Sequence, residues 1–209
     1  MIGIILPMTT PLHIAVRWGH RDAIRLLLES GADANKTNRF GSAPLHMYPP
    51  IDIAKLLIAH GATIDIRDHD GETPLLVNTY KFSIVKLLID NGADVNIRSY
   101  SGRTPLHAVI SNHNDDIAKL LIDNGADMKE ALHLTVKKGR RTTIKLLLSK
   151  GANINELDSS GCTPLDCIKR IKDRERRDRW RRFLRHYGAR SSSELEQMRK
   201  DKACRCSIS

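Results

Sequence analysis

Residues 104–127 read Thr-Pro-Leu-His-Ala-Val-Ile-Ser-Asn-His-Asn-Asp-Asp-Ile-Ala-Lys-Leu-Leu-Ile-Asp-Asn-Gly-Ala-Asp, and both ends of this stretch recur along the chain. Thr104-Pro-Leu-His107 returns as Thr10-Pro-Leu-His13, Ala43-Pro-Leu-His46, Thr73-Pro-Leu-Leu76 and Thr163-Pro-Leu-Asp166, with a weaker copy at Glu130-Ala-Leu-His133. Leu120-Leu-Ile-x-x-Gly-Ala-Asp127 returns as Leu26-Leu-Leu-x-x-Gly-Ala-Asp33, Leu56-Leu-Ile-x-x-Gly-Ala-Thr63, Leu87-Leu-Ile-x-x-Gly-Ala-Asp94 and Leu146-Leu-Leu-x-x-Gly-Ala-Asn153. The first motif starts at 10, 43, 73, 104, 130 and 163, spacings of 33, 30, 31, 26 and 33. Such a period marks an array of supersecondary units that hide their apolar faces only by stacking.

Each residue type in the unit has a local reason. The Thr caps a helix whose first turn holds the Pro, a residue at home where no N–H is needed. The Leu-Leu-Leu/Ile run sits on a second helix, where adjacent apolar residues face both the partner helix and the next unit. The Gly supplies the left-handed residue that ends this helix. Segments such as Asn38-Arg-Phe-Gly41 and Asp68-His-Asp-Gly71 suit tight turns.

With these two linked motifs the sequence resembles the ankyrin-repeat family over roughly residues 9–189. The resemblance implies an all-α solenoid of five to six helix-turn-helix repeats carrying β-turn fingers. Repeats are expected near 9–41, 42–71, 72–102, 103–128, 129–161 and 162–189, the last a basic cap, with an apolar segment at 1–8 and a flexible tail at 190–209. It also implies that His13, His46, His107 and His133 tie repeats together rather than bind metal. No metal or other cofactor is expected.

Three departures matter. Repeat 2 is three residues short and carries Tyr48-Pro-Pro50, so its first helix must end by about Met47. Repeat 3 loses two residues around Asn78–Phe82, which predicts an irregular first-helix row at both. Repeats 4 and 5 are joined through Met128-Lys-Glu130 with no finger. At the amino end, Ile2, Ile4, Ile5 and Leu6 either cover the first repeat or continue a longer array. Near the other end, Trp180, Phe183, Leu184 and Tyr187 fall on one helical stripe.

Composition bounds the function. The 209 residues are 41% apolar, 4% aromatic and 28% charged, and the net charge is +10. That charge is uneven: about +1 over residues 1–168, +7 over 169–185 and +2 beyond. All four cysteines fall at 162 or later, so no disulfide framework holds the array, and a cytoplasmic setting is expected. There is no nucleophile elbow, Walker loop, His-Glu-x-x-His or dinucleotide fingerprint, and no enzyme activity is expected.

The expected function is a monomeric adaptor that binds an unidentified protein through finger tips and a concave face. The resemblance places candidate finger contacts at Arg39, Phe40, His69, Asp70, Glu72, Tyr100 and Arg103, and helix contacts at Arg17, Trp18, Asn112, Lys137 and Lys138. Trp18, Phe40 and Tyr100 stand out because Trp, Tyr and Arg dominate binding hot spots. The run Lys169–Arg182 offers a second reading, binding to nucleic acid or anionic lipid, although no groove-reading motif or stacking aromatics accompany it. A third reading rests on Cys206-Ser-Ile-Ser209, which resembles a prenylation box. Cys204 and nearby cations would supply the second membrane signal. The chain would then be a peripheral membrane adaptor or, from a bacterial source, a host-directed effector.

Overall fold

The computed structural model describes residues 9–206, with side chains to residue 201. Residues 1–8, the expected apolar cover, lie outside the described residues, as do 207–209 and the side chains of the lipidation candidates Cys204 and Cys206. The chain divides into two compact units, Met1–Ala126 and Asp127–Ser209.

The first unit stacks four repeats. Repeat 1 is α1 (Pro11–Trp18) and α2 (Arg21–Glu29). Repeat 2 reduces its first helix to a 3-10 turn, Pro44–His46, before α3 (Ile51–Ala59). Repeat 3 has the one-turn α4 (Pro74–Val77) and α5 (Phe82–Asp90), and repeat 4 has α6 (Pro105–Asn112) and α7 (Asp115–Asp123). The second unit holds α8 (Ala131–Lys138) and α9 (Arg141–Ser149), then α10 (Pro164–Cys167), which runs on into a 3-10 turn. It closes with α11 (Arg174–His186) and α12 (Ser192–Cys206). No strand occurs among the described residues.

The start of each first helix reflects its sequence. The side-chain oxygens of Thr10, Thr73, Thr104 and Thr163 accept the N–H three residues on, and Pro succeeds each Thr. Ala43 has no hydroxyl to offer. There the His46 Nδ1 accepts the Ala43 N–H at 3.1 Å instead. The lengths are set locally as well. α1, α6 and α8 run for 8 residues and end on a left-handed residue, Gly19, His113 or Gly139. Pro49 and Pro50 cut repeat 2 at Met47, as expected. Between repeats 4 and 5 no finger forms: the chain turns through Glu130, at φ 61°, directly into α8.

Within each unit the core is one column per helix row. Ile24, Ile53, Ile84, Ile117 and Ile144 on the second helices are all at most 1% exposed, as are Leu57, Leu88, Leu121 and Leu147. Leu12, Leu45, Leu75, Leu106, Leu132 and Leu165 do the same work on the first helices. Burying each is worth about 1.5–3 kcal/mol, and the burial is shared between the partner helix and the neighbouring repeat. The Gly-Ala turns are clamped too. Asn35 donates to Gly61 O at 2.9 Å while its Oδ1 accepts the Thr63 N–H at 2.7 Å.

The last repeat is fuller than the sequence reading made it. Asn155 clamps Gly188 O at 3.1 Å and the Arg190 N–H at 2.6 Å, the same grip that Asn35 has on repeat 2. Gly188-Ala-Arg190 is thus a sixth Gly-Ala turn, and α11 is the second helix of a complete repeat. Trp180 and Leu184 are buried at 4% and 0% exposure, and Phe183 and Tyr187 complete the stripe at its edge.

Most of the segment 190–209, expected as a flexible tail, folds as α12, which is rooted at its first turn. The Ser191 Oγ accepts the Glu194 N–H (3.3 Å) and Glu194 Oε2 accepts the Ser191 N–H (2.8 Å). This is a capping box, and Ser191-Ser-Ser-Glu194 is its sequence signature. Arg185 adds an ion pair to Glu194 at 2.6 Å. Asp166 Oδ2 accepts the Ser192 N–H at 2.9 Å.

Candidate functional site

Four of the sequence candidates line one groove in the first unit. Arg17 and Trp18 come from the end of α1, Phe40 from the tip of the first finger, and Asp70 from the second finger. His13, Ile14 and Met47 share the lining, and the groove volume is about 610 Å³. Met47 reaches this lining because the first helix of repeat 2 stops there.

The fingers that form the outer wall are held by their own side chains. Asn38 Oδ1 accepts the Phe40 and Ser42 N–H groups at 2.8 and 3.1 Å. Asp68 Oδ1 repeats this on Asp70 and Glu72 at 3.0 and 2.9 Å. Neighbouring fingers are then joined, His69 N–H to Phe40 O at 3.0 Å and Tyr100 N–H to Asp70 O at 2.9 Å. The His69 ring lies over Gly41 and the Tyr100 ring over Gly71. A Cβ at Gly71 would stand 2.9 Å from the Tyr100 ring, and its φ of +71° disfavours any side chain anyway.

Three large aromatic side chains are therefore presented on fixed backbone. Trp18 is 70% exposed, Phe40 56% and Tyr100 74%. Arg39 stacks on Phe40 with its guanidinium carbon 4.6 Å from the ring centroid. The second finger supplies acid. Burial pushes the Glu72 carboxyl up, the charges of Asp68 and Asp70 push it further, and Arg103 pulls it back.

Other candidates fall elsewhere. Asn112 is engaged by Thr79, donating to its Oγ1 at 3.2 Å. Lys137 and Lys138 are exposed at the end of α8 in the second unit. The repeated histidines belong to the frame. Nε2 of His13, His46 and His133 lies 2.9, 3.1 and 2.8 Å from Ser42 O, Glu72 O and Cys162 O, each in the next finger along. His107 pairs with Thr104 Oγ1 at 2.6 Å.

A tyrosine pair was not singled out as a site from sequence. Tyr48, at φ 56°, and Tyr80 pack with centroids 5.6 Å apart where the first helices of repeats 2 and 3 are cut short. Lys81 donates to Tyr48 O at 2.8 Å. The signal was present as an aromatic in each shortened linker, but pairing across repeats is not visible in a linear reading.

A stack of short helix pairs that holds aromatic side chains on a rigid, finger-walled groove defines a recognition scaffold. The family model for ankyrin repeats in three copies matches residues 45–130, and that for a single ankyrin repeat matches 9–39 and 130–159. The chain belongs to the ankyrin-repeat family. It is similar to neurogenic locus notch homolog protein 1 of Danio rerio, 45% identical over 74 residues, 34% of this chain and 3% of that protein. The same protein of Homo sapiens is 43% identical over 72 residues, 32% of this chain and 3% of that protein. Rabankyrin-5 of Mus musculus is 31% identical over 164 residues, 71% of this chain and 14% of that protein. The chain thus spans a small part of each relative's length. Ankyrin repeats are in general protein-interaction modules without enzyme activity.

Proposed function

We propose that this chain is a protein-binding adaptor whose partner seats in the groove between α1 and the first two fingers. The carrying observation is the joint placement of Trp18, Phe40, Arg17 and Asp70 around one groove, with both aromatics more than half exposed. The frame beneath them is fixed by finger-to-finger hydrogen bonds, so little ordering entropy opposes binding. Arg17 and Asp70 give the groove both signs of charge, which suits a partner segment that joins an apolar anchor to polar flanks.

The test is partner capture followed by affinity measurement with Trp18→Ala and Phe40→Ala. Each truncation is expected to weaken binding by about 2 kcal/mol, roughly 30-fold in Kd. Lys55→Gln on the outer face of α3 should leave it unchanged. A partner that binds all three variants like the parent chain sits elsewhere, and the groove assignment fails.

A further inference from the structure

The second unit carries 22 Lys and Arg against 11 Asp and Glu, so it is at +11 while the first unit is at −1. Four of these cations are contiguous in sequence, Lys137-Lys-Gly-Arg-Arg141, and the structure adds a fifth from a distant helix. Lys137 and Lys138 end α8, Arg140 and Arg141 begin α9, and Gly139 joins them. Arg176, from α11, lies over that Gly: a Cβ there would be 3.2 Å from its Nη2. Five cations from three helices thus meet around one turn.

The protein does little to neutralise them. None of the five has an ion pair among the described residues; Asp158 interacts with Lys137 only at longer range. The Nε of Arg140 is buried without an acceptor. The first turn of α9 holds no acid and no side-chain cap, so its dipole adds to the positive field at Arg140 and Arg141, and only the C-terminal end of α8 offsets the charge, at Lys137 and Lys138. Holding like charges together in this way costs stability unless something anionic is at hand.

The surroundings of the cluster select the kind of anion. Trp180 is 4% exposed, and Arg141 covers it and Phe183 at 5.1 Å from each centroid. With Trp180 buried and Arg141 seated over both rings, the aromatic pair nearest the cluster offers a base little to stack on, which disfavours single-stranded nucleic acid. The exposed aromatics Trp18, Phe40 and Tyr100 lie in the first unit, so none of them is at hand here to anchor an acidic peptide. Cationic charge, most of it exposed, is what the cluster offers. We propose that this corner of the second unit docks on an anionic phospholipid surface, with Lys137, Lys138, Arg140, Arg141 and Arg176 facing the headgroup phosphates. This reading is independent of the groove in the first unit.

The full chain, unlipidated, is sedimented with phosphatidylcholine vesicles with and without phosphatidylserine. Binding is expected only with phosphatidylserine. It should be lost between about 0.1 M and about 1 M salt, over which the screening length falls from about 10 Å to about 3 Å. Lys137→Gln, Lys138→Gln and Arg176→Gln combined should weaken it at least about tenfold. The same charge removed from the first unit, as Lys36→Gln, Lys55→Gln and Lys119→Gln, should leave it nearly unchanged. Should loss of Arg176 disturb Trp180, the Lys137→Gln and Lys138→Gln double variant gives the same direction without touching that contact. Equal losses in the two triple variants, binding to phosphatidylcholine alone, or salt-sensitive retention of nucleic acid without vesicle binding would each overturn the proposal.

Discussion

His46 shows how one residue joins two repeats. The Ala43 N–H can only donate, so Nδ1 must accept it and Nε2 must carry the proton that goes to Glu72 O. That fixes a neutral ring in one tautomer, and a second proton would have to displace the Ala43 N–H. Burial lowers the pKa of His46 and of His13 below the ordinary histidine value, more than the carbonyls they face raise it. A histidine whose pKa is depressed on folding favours the folded state above the unfolded value of about 6.5. That advantage is lost as pH falls from there through the folded value. His46→Ala leaves the Ala43 N–H and Glu72 O unpaired, each at about 1–3 kcal/mol. In urea titrations the variant should be roughly 2–6 kcal/mol less stable at pH 7.5. The gap should narrow at pH 5.5, because one of two acid-sensitive groups is gone. A gap that stays constant with pH would show that the ring is not held neutral.

Among the elements, the closing helix obeys different rules from the rest. In repeats 1, 2 and 5 a histidine reaches the carbonyl of the next finger. In repeat 6 that position is Asp166, an acceptor, and the segment it meets is a helix N-terminus with N–H groups to satisfy. Burial opposes ionisation of Asp166, but Lys169 and the Ser192 and Thr163 donors outweigh it and hold the carboxyl well below the ordinary range. Beyond Leu195, α12 is exposed up to residue 201, so little but its first turn supports a 15-residue helix that would be marginal alone. The hydrogen bond from Arg185, with the Ser191 N–H behind it, pulls the Glu194 pKa to about 2. Glu194 therefore supports α12 fully above about 4.5 and ceases to as pH falls through about 2. Arg185→Gln should raise that midpoint towards 4.5, read as loss of helical circular dichroism over the tail on acid titration. An unchanged midpoint would mean the ion pair does not root the helix. The repeats themselves were legible in sequence because each rests on local chemistry: a Thr cap, a Pro in the first turn, a Gly at the helix end. The first-helix break at Met47 was legible for the same reason, since two prolines decide it. α12 was missed although Ser191-Ser-Ser-Glu194 is a local signal, because almost no apolar stripe comes after it to attract notice. The meeting of Trp18 with Phe40 and Asp70, or of Arg176 with Gly139, depends on how distant segments stack. Only membership of the finger and first-helix rows could be read in advance.

At the scale of the whole molecule, charge is partitioned far more sharply than apolar surface. Each unit has its own buried columns, yet one stands at −1 and the other at +11. The second unit does contain attractive pairs, Arg181 with Asp178, Arg185 with Glu194 and Lys169 with Asp166, and salt weakens these. The first two, exposed or half-exposed, are worth about 0–1 kcal/mol each, and the third holds a buried Asp166 carboxylate to an exposed Lys169. Against them, 22 cations face 11 anions, so one-to-one pairing leaves at least half of the cations unmatched. Repulsion among the remainder is longer-ranged than the pairs, and screening removes it as the screening length shrinks from about 30 Å at 0.01 M to about 8 Å at 0.15 M. Repulsion therefore outweighs attraction, and added salt should stabilise the second unit. Hydrogen exchange at low and physiological ionic strength checks this. Amides of α8, α9 and α11 should gain protection as salt rises, while those of α3 and α5, in the near-neutral unit, should hold steady. Loss of protection in α8, α9 and α11 on adding salt would mean that the specific pairs dominate, and equal gains in both units would mean that the uneven charge has no bearing on stability.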